Sequence, residues 1–483
     1  MLREGTVGED KRRPDEGFGN ALQRWMSVAL LALATGTSLA AEVAGHWEGE
    51  IDLPDRPLVV KVDLVRNGDA WRGTIDIPAQ GANGLPLDPV TVVTGDHGVS
   101  VAFSIRGVPG NPTFKGRHDQ DTLHGDFSQG GITVGFRLGR QAATGPSRPQ
   151  EPKPPFPYTA EEVVVEAGPV KLAGTLTVPN GEPPFPAVLL ISGSGLQDRD
   201  QTLFDHKPFW VLADHLGRSG VAVLRVDDAG IGASTPHPEP PTTADFANDA
   251  AACVQRLRSD TRFSRVGLVG HSEGGLIATL LAGERDDIDY VALLAAPGVS
   301  GAELMRKQNQ RIFAAAGFTD ERTTDLLALL DRLFTTLVSD LPDDELRLRV
   351  EEIALQQLAV NGIVGIDLED ERVQASVEAA MSPWMRYFLR LDPRPSLERI
   401  RAPVLALNGD LDLQVDAEQN LSAIESALNL GGNTQATSHR LPGLNHLFQH
   451  AETGLVDEYA RIEETMAPEV LDLIRDWIVD VAQ

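Results

Sequence analysis

The residues best suited to chemistry lie in the stretch 265–278, where a short apolar run, Val266-Gly267-Leu268-Val269, leads into Gly270-His271-Ser272-Glu273-Gly274-Gly275 and then a helical pattern. This is a G-x-S-x-G elbow, which lifts a serine on a sharp strand-to-helix turn at the C-terminal edge of a sheet. Glycine is expected at Gly270 and Gly274 because a strand that reverses into a helix within a few residues crowds its own backbone. A hydroxyl on such a turn can attack a carbonyl once a base takes its proton and a carboxylate orients that base. The expected chain order is serine, acid, histidine. Asn408-Gly409-Asp410-Leu411-Asp412 directly follows the strand-like run Val404-Leu405-Ala406-Leu407, which offers Asp412 as the acid on the loop at that strand's end. Leu444-Asn445-His446 follows the last strand-like run and offers His446 as the base.

Each partner has competitors. Asp410 could be the acid, but it is equally explained as a turn residue after Gly409, so Asp412 is preferred. His450 lies four residues beyond His446, a spacing that could bind metal on a helix, yet no other ligand set flanks it. No metal or cofactor is therefore expected. His271 must point away from the neighbouring nucleophile and reads as a packing residue, and His439 reads as a structural residue of the preceding strand. The oxyanion formed on attack needs preorganised N–H donors. One is expected from Glu273. The other is expected from the loop 192–200, with Ser194 first and Gly195 second. That glycine loop lacks the Lys-Ser/Thr ending of a phosphate-binding loop. The charged residues Asp198, Arg199 and Asp200, with His206 and Lys207 after them, are read as ion pairs that tie this loop down; lining the mouth of the site is the alternative.

The elements that must hold these residues are legible from 158 onward. Residues 162–166 and 170–178 read as a hairpin, and 187–191, 221–225, 266–269, 291–294 and 404–407 are compact apolar runs, most of them separated by helical patterns such as 210–218 and 244–257. Short apolar strands alternating with helices imply an α/β fold with a parallel sheet covered on both faces. The gap between Leu294 and Val404 is too long for a crossover and is rich in helix formers, which predicts a helical cap over about 300–395. Residues 468–479 carry Leu471, Ile474 and Ile478 on one face and fit a closing helix.

Residues 42–140 read differently. Leu58, Val60, Val62 and Leu64 alternate with polar neighbours, Asn67-Gly68 supplies a hairpin turn, and a bulky residue two places before a glycine recurs at Trp47, Trp71, Phe114 and Leu123. A meander of about eight short strands, closing as a small barrel or sandwich, is expected. Its histidines, His46, His97, His118 and His124, have no ligand-like spacing. The module could bind or position substrate, or be a binding domain for an envelope glycan or a partner protein. Residues 141–157, with six prolines, read as a semi-rigid linker. Residues 1–40 end in an apolar run and the small-x-small pattern Ser38-Leu39-Ala40, the anatomy of a secretory signal peptide, so an exported protein, periplasmic or secreted, with no membrane anchor is expected.

Bulk properties narrow the partners. Forty-two Lys and Arg against 70 Asp and Glu give a net charge of -28, which repels nucleic acid and anionic lipid surfaces. The single cysteine, Cys253, excludes an internal disulfide and reads as a small core residue.

Taken in order, SGSGLQDRD, His206-Lys207-Pro208, LRVDDAGIGAS from Leu224, GHSEGG, GDLDLQV and GLNHLFQ resemble exported α/β-hydrolases of the serine-esterase type, relatives of the serine aminopeptidase-like hydrolases. The resemblance covers about residue 161 to the C-terminus. It implies a helical cap on an α/β-hydrolase fold, hydrolysis of small-molecule esters with short acyl chains, no cofactor, and Ser272, His446 and Asp412 as nucleophile, base and acid. The β module is similar to an appendage of some carboxylesterases of this group. A serine peptidase using the same triad is the alternative activity. One departure is Ala229, where relatives commonly carry arginine before the glycine.

Overall fold

The computed structural model describes residues 43–482, except 54–56, 68–69, 78–81, 96–97, 106–111, 130–131, 142–147, 319 and 362. The expected signal peptide, Gly68 of the expected turn and His97 lie outside the described residues. Two compact units form, one within residues 27–147 and one over residues 148–483.

The first unit is a closed eight-stranded barrel in simple meander order: β1 (Gly45–Ile51), β2 (Leu58–Asn67), β3 (Ala70–Ile77), β4 (Ala82–Gly95), β5 (Gly98–Ile105), β6 (Thr113–Asp119), β7 (Thr122–Gln129) and β8 (Ile132–Gln141), with β8 pairing back onto β1. Alternation dictates this. Val60, Val62 and Leu64 point inward from β2, and closure removes both sheet edges. The interior is aromatic: the Phe114 ring stacks on Phe103 at 4.7 Å and meets Phe127 at 4.8 Å and Phe136 at 5.1 Å. The recurrent glycine has a packing cause. A Cβ on Gly125 would sit 2.2 Å from the Lys115 carbonyl oxygen, so the strands can cross this tightly only without a side chain there.

The second unit is built on an eight-stranded sheet of order β16-β15-β14-β13-β11-β12-β10-β9. The hairpin β9 (Tyr158–Ala167) and β10 (Val170–Pro179) is its antiparallel end; β11 (Phe185–Ile191), β12 (Ala222–Val226), β13 (Phe263–His271), β14 (Val291–Leu294), β15 (Val404–Gly409) and β16 (Ala436–Leu441) run parallel. One face is packed by α1 (Pro208–Arg218) and α12 (Pro468–Val481), through Leu212, Leu216, Ile474 and Ile478. The other is packed by α2 (Thr243–Arg258), α3 (Glu273–Glu284), α9 (Arg394–Leu397) and α10 (Ala417–Leu430). Cys253 of α2 lies fully inside that second core. A short helix, α11 (Val456–Tyr459), precedes α12.

Between β14 and β15 the chain leaves the sheet as five helices: α4 (Gly301–Ala315), α5 (Glu321–Leu337), α6 (Asp343–Val360), α7 (Glu371–Ala380) and α8 (Pro383–Arg390). They enclose their own core around Leu333, Phe334, Val350, Ile353 and Phe388. The acidic start Asp343-Asp344-Glu345 falls in the first turn of α6, where it complements the helix dipole. The two ends of this excursion meet: the Gly301 N–H donates to the Leu391 carbonyl at 3.1 Å, and a capping box between Ser300 and Glu303 starts α4 there.

Candidate active site

β13 ends at His271, and the next residue, Ser272, has φ 55° and ψ -122° before α3 begins at Glu273. A positive φ on a non-glycine residue is strained and persists only where the surroundings enforce it. They do so by contact. A Cβ on Gly274 would lie 2.0 Å from the Ile191 carbonyl oxygen, and one on Gly270 would lie 2.1 Å from that of Gly274. The Ser272 N–H is fixed by the Leu294 carbonyl at 2.8 Å.

β15 and β16 deliver the other two residues. Asp412 is fully buried, and its carboxylate accepts four hydrogen bonds: from the N–H groups of Gln414 (2.8 Å) and Val415 (2.9 Å), from Asn408 Nδ2 (3.1 Å) and from His446 Nδ1 (2.8 Å). With Nδ1–H held by the carboxylate, the neutral ring of His446 keeps its lone pair on Nε2. Asp410 is turned elsewhere, accepting the Gly443 N–H at 2.7 Å. His271 lies between β13 and His446. Its Nδ1 accepts from Gln201 Nε2 at 2.7 Å, its Nε2–H donates to the His446 carbonyl at 2.8 Å, and the two imidazole rings are 4.7 Å apart. Burial, with the His446 ring adding to it, pushes the His271 pKa down to about 3, so this ring is neutral. Among the described residues, none of the hydrogen bonds of His446 runs from Nε2 to Ser272 Oγ, a contact that tightens in substrate complexes of such sites.

Ser272 opens into a cavity of about 250 Å³ beneath the five-helix excursion. Leu304, Met305, Leu333, Phe334 and Phe388 make its walls apolar, and Ser194, Glu273 and Gln414 are among its polar lining. Gly195, with φ 91°, lines instead a small cavity of about 40 Å³ behind the loop, together with Gly193, Asp228, Asp249 and Glu273. Burial is the main cause that raises the Asp228 pKa, to about 7, and that of Asp249, to about 6.

The Glu273 side chain has a setting that its place in the motif does not reveal. It is 3 % exposed, and its carboxylate accepts from Thr243 Oγ1 at 2.6 Å and from Trp384 Nε1 at 2.9 Å. Burial raises its pKa, and the donors around it oppose the shift. One carboxylate therefore joins the elbow to helices α2 and α8. Thr243 and Trp384 were not foreseen from the sequence, since no spacing links a tryptophan 111 residues away to the elbow. Asn408 was also missed, although it stands immediately before the Gly-Asp-x-Asp run that holds Asp412.

Of the charged residues after Gly195, Arg199, Asp200 and Lys207 form ion pairs, whereas the Asp198 carboxylate accepts from the Asp200 and Thr202 N–H groups and the Thr202 hydroxyl. Arg199 is bidentate to Asp227 and reaches Glu162, while Asp200 pairs with Arg225. Lys207 pairs with Glu151. His206 is fully buried between the Tyr459 carbonyl and Thr465 Oγ1. His450 pairs with Glu464 and Glu469 at the surface.

Residues 188–458 match the model of the alpha/beta hydrolase family. The sequence is also similar to esterase EstD of Thermotoga maritima, 26 % identical over 310 residues, covering 64 % of this chain and 65 % of that protein. The chain thus spans just under two thirds of the length of this curated relative. Among solved structures, Est1E from Butyrivibrio proteoclasticus is 15 % identical, covering 66 % of this chain and 98 % of that one, with a TM-score of 0.38. The Pyrococcus furiosus esterase Pf2001 is 14 % identical, covering 67 % and 90 %, with a TM-score of 0.41.

Proposed function

We propose, since this chain belongs to the alpha/beta hydrolase family, that it hydrolyses carboxylic esters of small molecules through an acyl-enzyme on Ser272. The observation that carries the reading is the Asp412–His446 hydrogen bond of 2.8 Å on the loops after β15 and β16, in the same sheet whose β13 runs into the strained serine. Ser272 Oγ attacks the ester carbonyl, His446 Nε2 takes the proton and returns it to the leaving alkoxide, and Asp412 steadies the imidazolium. The N–H groups of Glu273 and Ser194 hold the oxyanion. Water, activated by His446, then releases the acid. The apolar cavity under α4, α5 and α8 suits a short acyl group. Similarity to an esterase supports the ester reading.

Ser272→Ala is expected to fold normally and lose nearly all turnover of a short p-nitrophenyl ester, together with fluorophosphonate labelling. Retained turnover would remove Ser272 from the mechanism. Export is proposed on the leader-like residues 1–40; fractionation of expressing cells, with N-terminal sequencing of the mature protein, tests it.

A further inference from the structure

The loop that carries His446 is supported from behind by residues 459–466, and this support is gripped by the proline-rich stretch that the sequence assigns to a linker. Tyr459 is 2 % exposed; its hydroxyl accepts from Gln414 Nε2 (3.3 Å), while the Gln414 N–H is one of the donors to Asp412, whose carboxylate holds His446 Nδ1. The Tyr459 ring meets Phe204 edge-on at 5.7 Å, and its carbonyl is bonded by buried His206. Arg148 closes over this pair. Its guanidinium donates to the carbonyls of Phe204 (2.8 Å), Ala460 (3.1 Å) and Ile462 (2.6 Å), which flank the two rings in the chain. Two residues on, Gln150 Oε1 accepts the N–H groups of Thr465 (2.6 Å) and Met466 (3.1 Å), and its Nε2 donates to the Met466 carbonyl at 2.6 Å. Both linker side chains thus satisfy main-chain groups of one irregular segment, and an orphaned buried carbonyl is costly.

We propose that Arg148 and Gln150 are positioning residues for His446: the second half of the linker is part of the framework that holds the base, acting through Tyr459. The proposal rests on His446 being that base. An irregular loop has no ladder to fix it, so its precision comes from side-chain clamps such as these. Misplacement of a catalytic group by about 1 Å can cost on the order of a hundredfold in rate.

The test uses the full chain with Arg148→Ala, Gln150→Ala, the double variant and Arg148→Lys. For each, kcat, KM and the pH profile of kcat/KM are measured on a p-nitrophenyl ester, with active sites counted by burst titration and folding followed by urea denaturation. In folded Arg148→Ala and in the double variant, kcat per titrated site is expected to fall by roughly ten- to a hundredfold, with KM moving far less. The acid limb of kcat/KM should shift, because it reports the base, and Arg148→Lys should recover part of the loss. If Arg148→Ala does not fold, the milder Gln150→Ala carries the same expectation in reduced size. Unchanged kcat per titrated site with an unchanged pH profile overturns the proposal, as does a loss that vanishes once inactive molecules are discounted. A Ser272→Ala enzyme that stays active would instead overturn the assignment of the nucleophile, so the two failures are distinguishable.

Discussion

His271 is where a single residue links chemistry to stability. The ring accepts from Gln201 at Nδ1 and donates to the His446 carbonyl from Nε2, so an added proton on Nδ1 would face the Gln201 N–H. Its folded pKa of about 3 lies below the ordinary histidine value of 6.5. Between those two values the unfolded chain binds a proton that the folded chain refuses, so stability is whole above pH 6.5 and is lost as pH falls toward 3. The slope from this one site is up to about 1.4 kcal/mol per pH unit. Urea unfolding at pH 7.5, 6 and 5 should show it, and His271→Asn, though less stable throughout, should give a flatter dependence. Equal slopes would show that the acid loss arises elsewhere. The sequence places His271 beside the nucleophile and predicts a packing role; that its partner is the main chain of His446 depends on β13 and the loop after β16 lying side by side, which no local pattern encodes.

Helices and strands explain which parts of the site could be read in advance. The elbow, the acid loop and the histidine loop each follow an apolar run directly, so strand periodicity and chain order were enough to nominate Ser272, Asp412 and His446. The order of the sheet and the partners of Glu273 were beyond such reading, because they depend on contacts between distant elements. Trp384 of α8 is the clearest case. Its indole N–H meets the Glu273 carboxylate at 2.9 Å while its ring stacks on Phe388 at 5.0 Å, so Trp384→Phe keeps the stack and removes one donor from a buried acid. The expected cost is about 1.5–3 kcal/mol in unfolding free energy, with a fall in kcat because Glu273 adjoins Ser272 and its N–H is proposed for the oxyanion. Both are read from urea titration and steady-state kinetics; a variant of unchanged stability and rate would show that the bond does not matter in solution.

At the scale of the whole molecule, the barrel and the larger unit bury separate cores. Alternation and the bulky-x-glycine repeat announced the barrel, while the proline content of 141–157 disguised the anchoring of Arg148 and Gln150. Trp47 lies wholly within the barrel and donates to the Val43 carbonyl at 3.0 Å. Trp47→Ala is expected to cost about 3–5 kcal/mol there. Calorimetry should then show a lowered barrel transition and an unmoved second one; a joint shift would mean that the two units unfold together. A last consequence follows from the hydrogen bond between Gly301 and Leu391, where the five-helix excursion closes on itself. Because its ends already touch, lengthening, shortening or replacing residues 302–390 between them requires little new loop closure from the sheet. The excursion can therefore be inherited, or grafted, as a cassette, provided that the replacement restores the donor Trp384 gives to Glu273: substrate range can diverge while the strands that carry Ser272, Asp412 and His446 stay as they are.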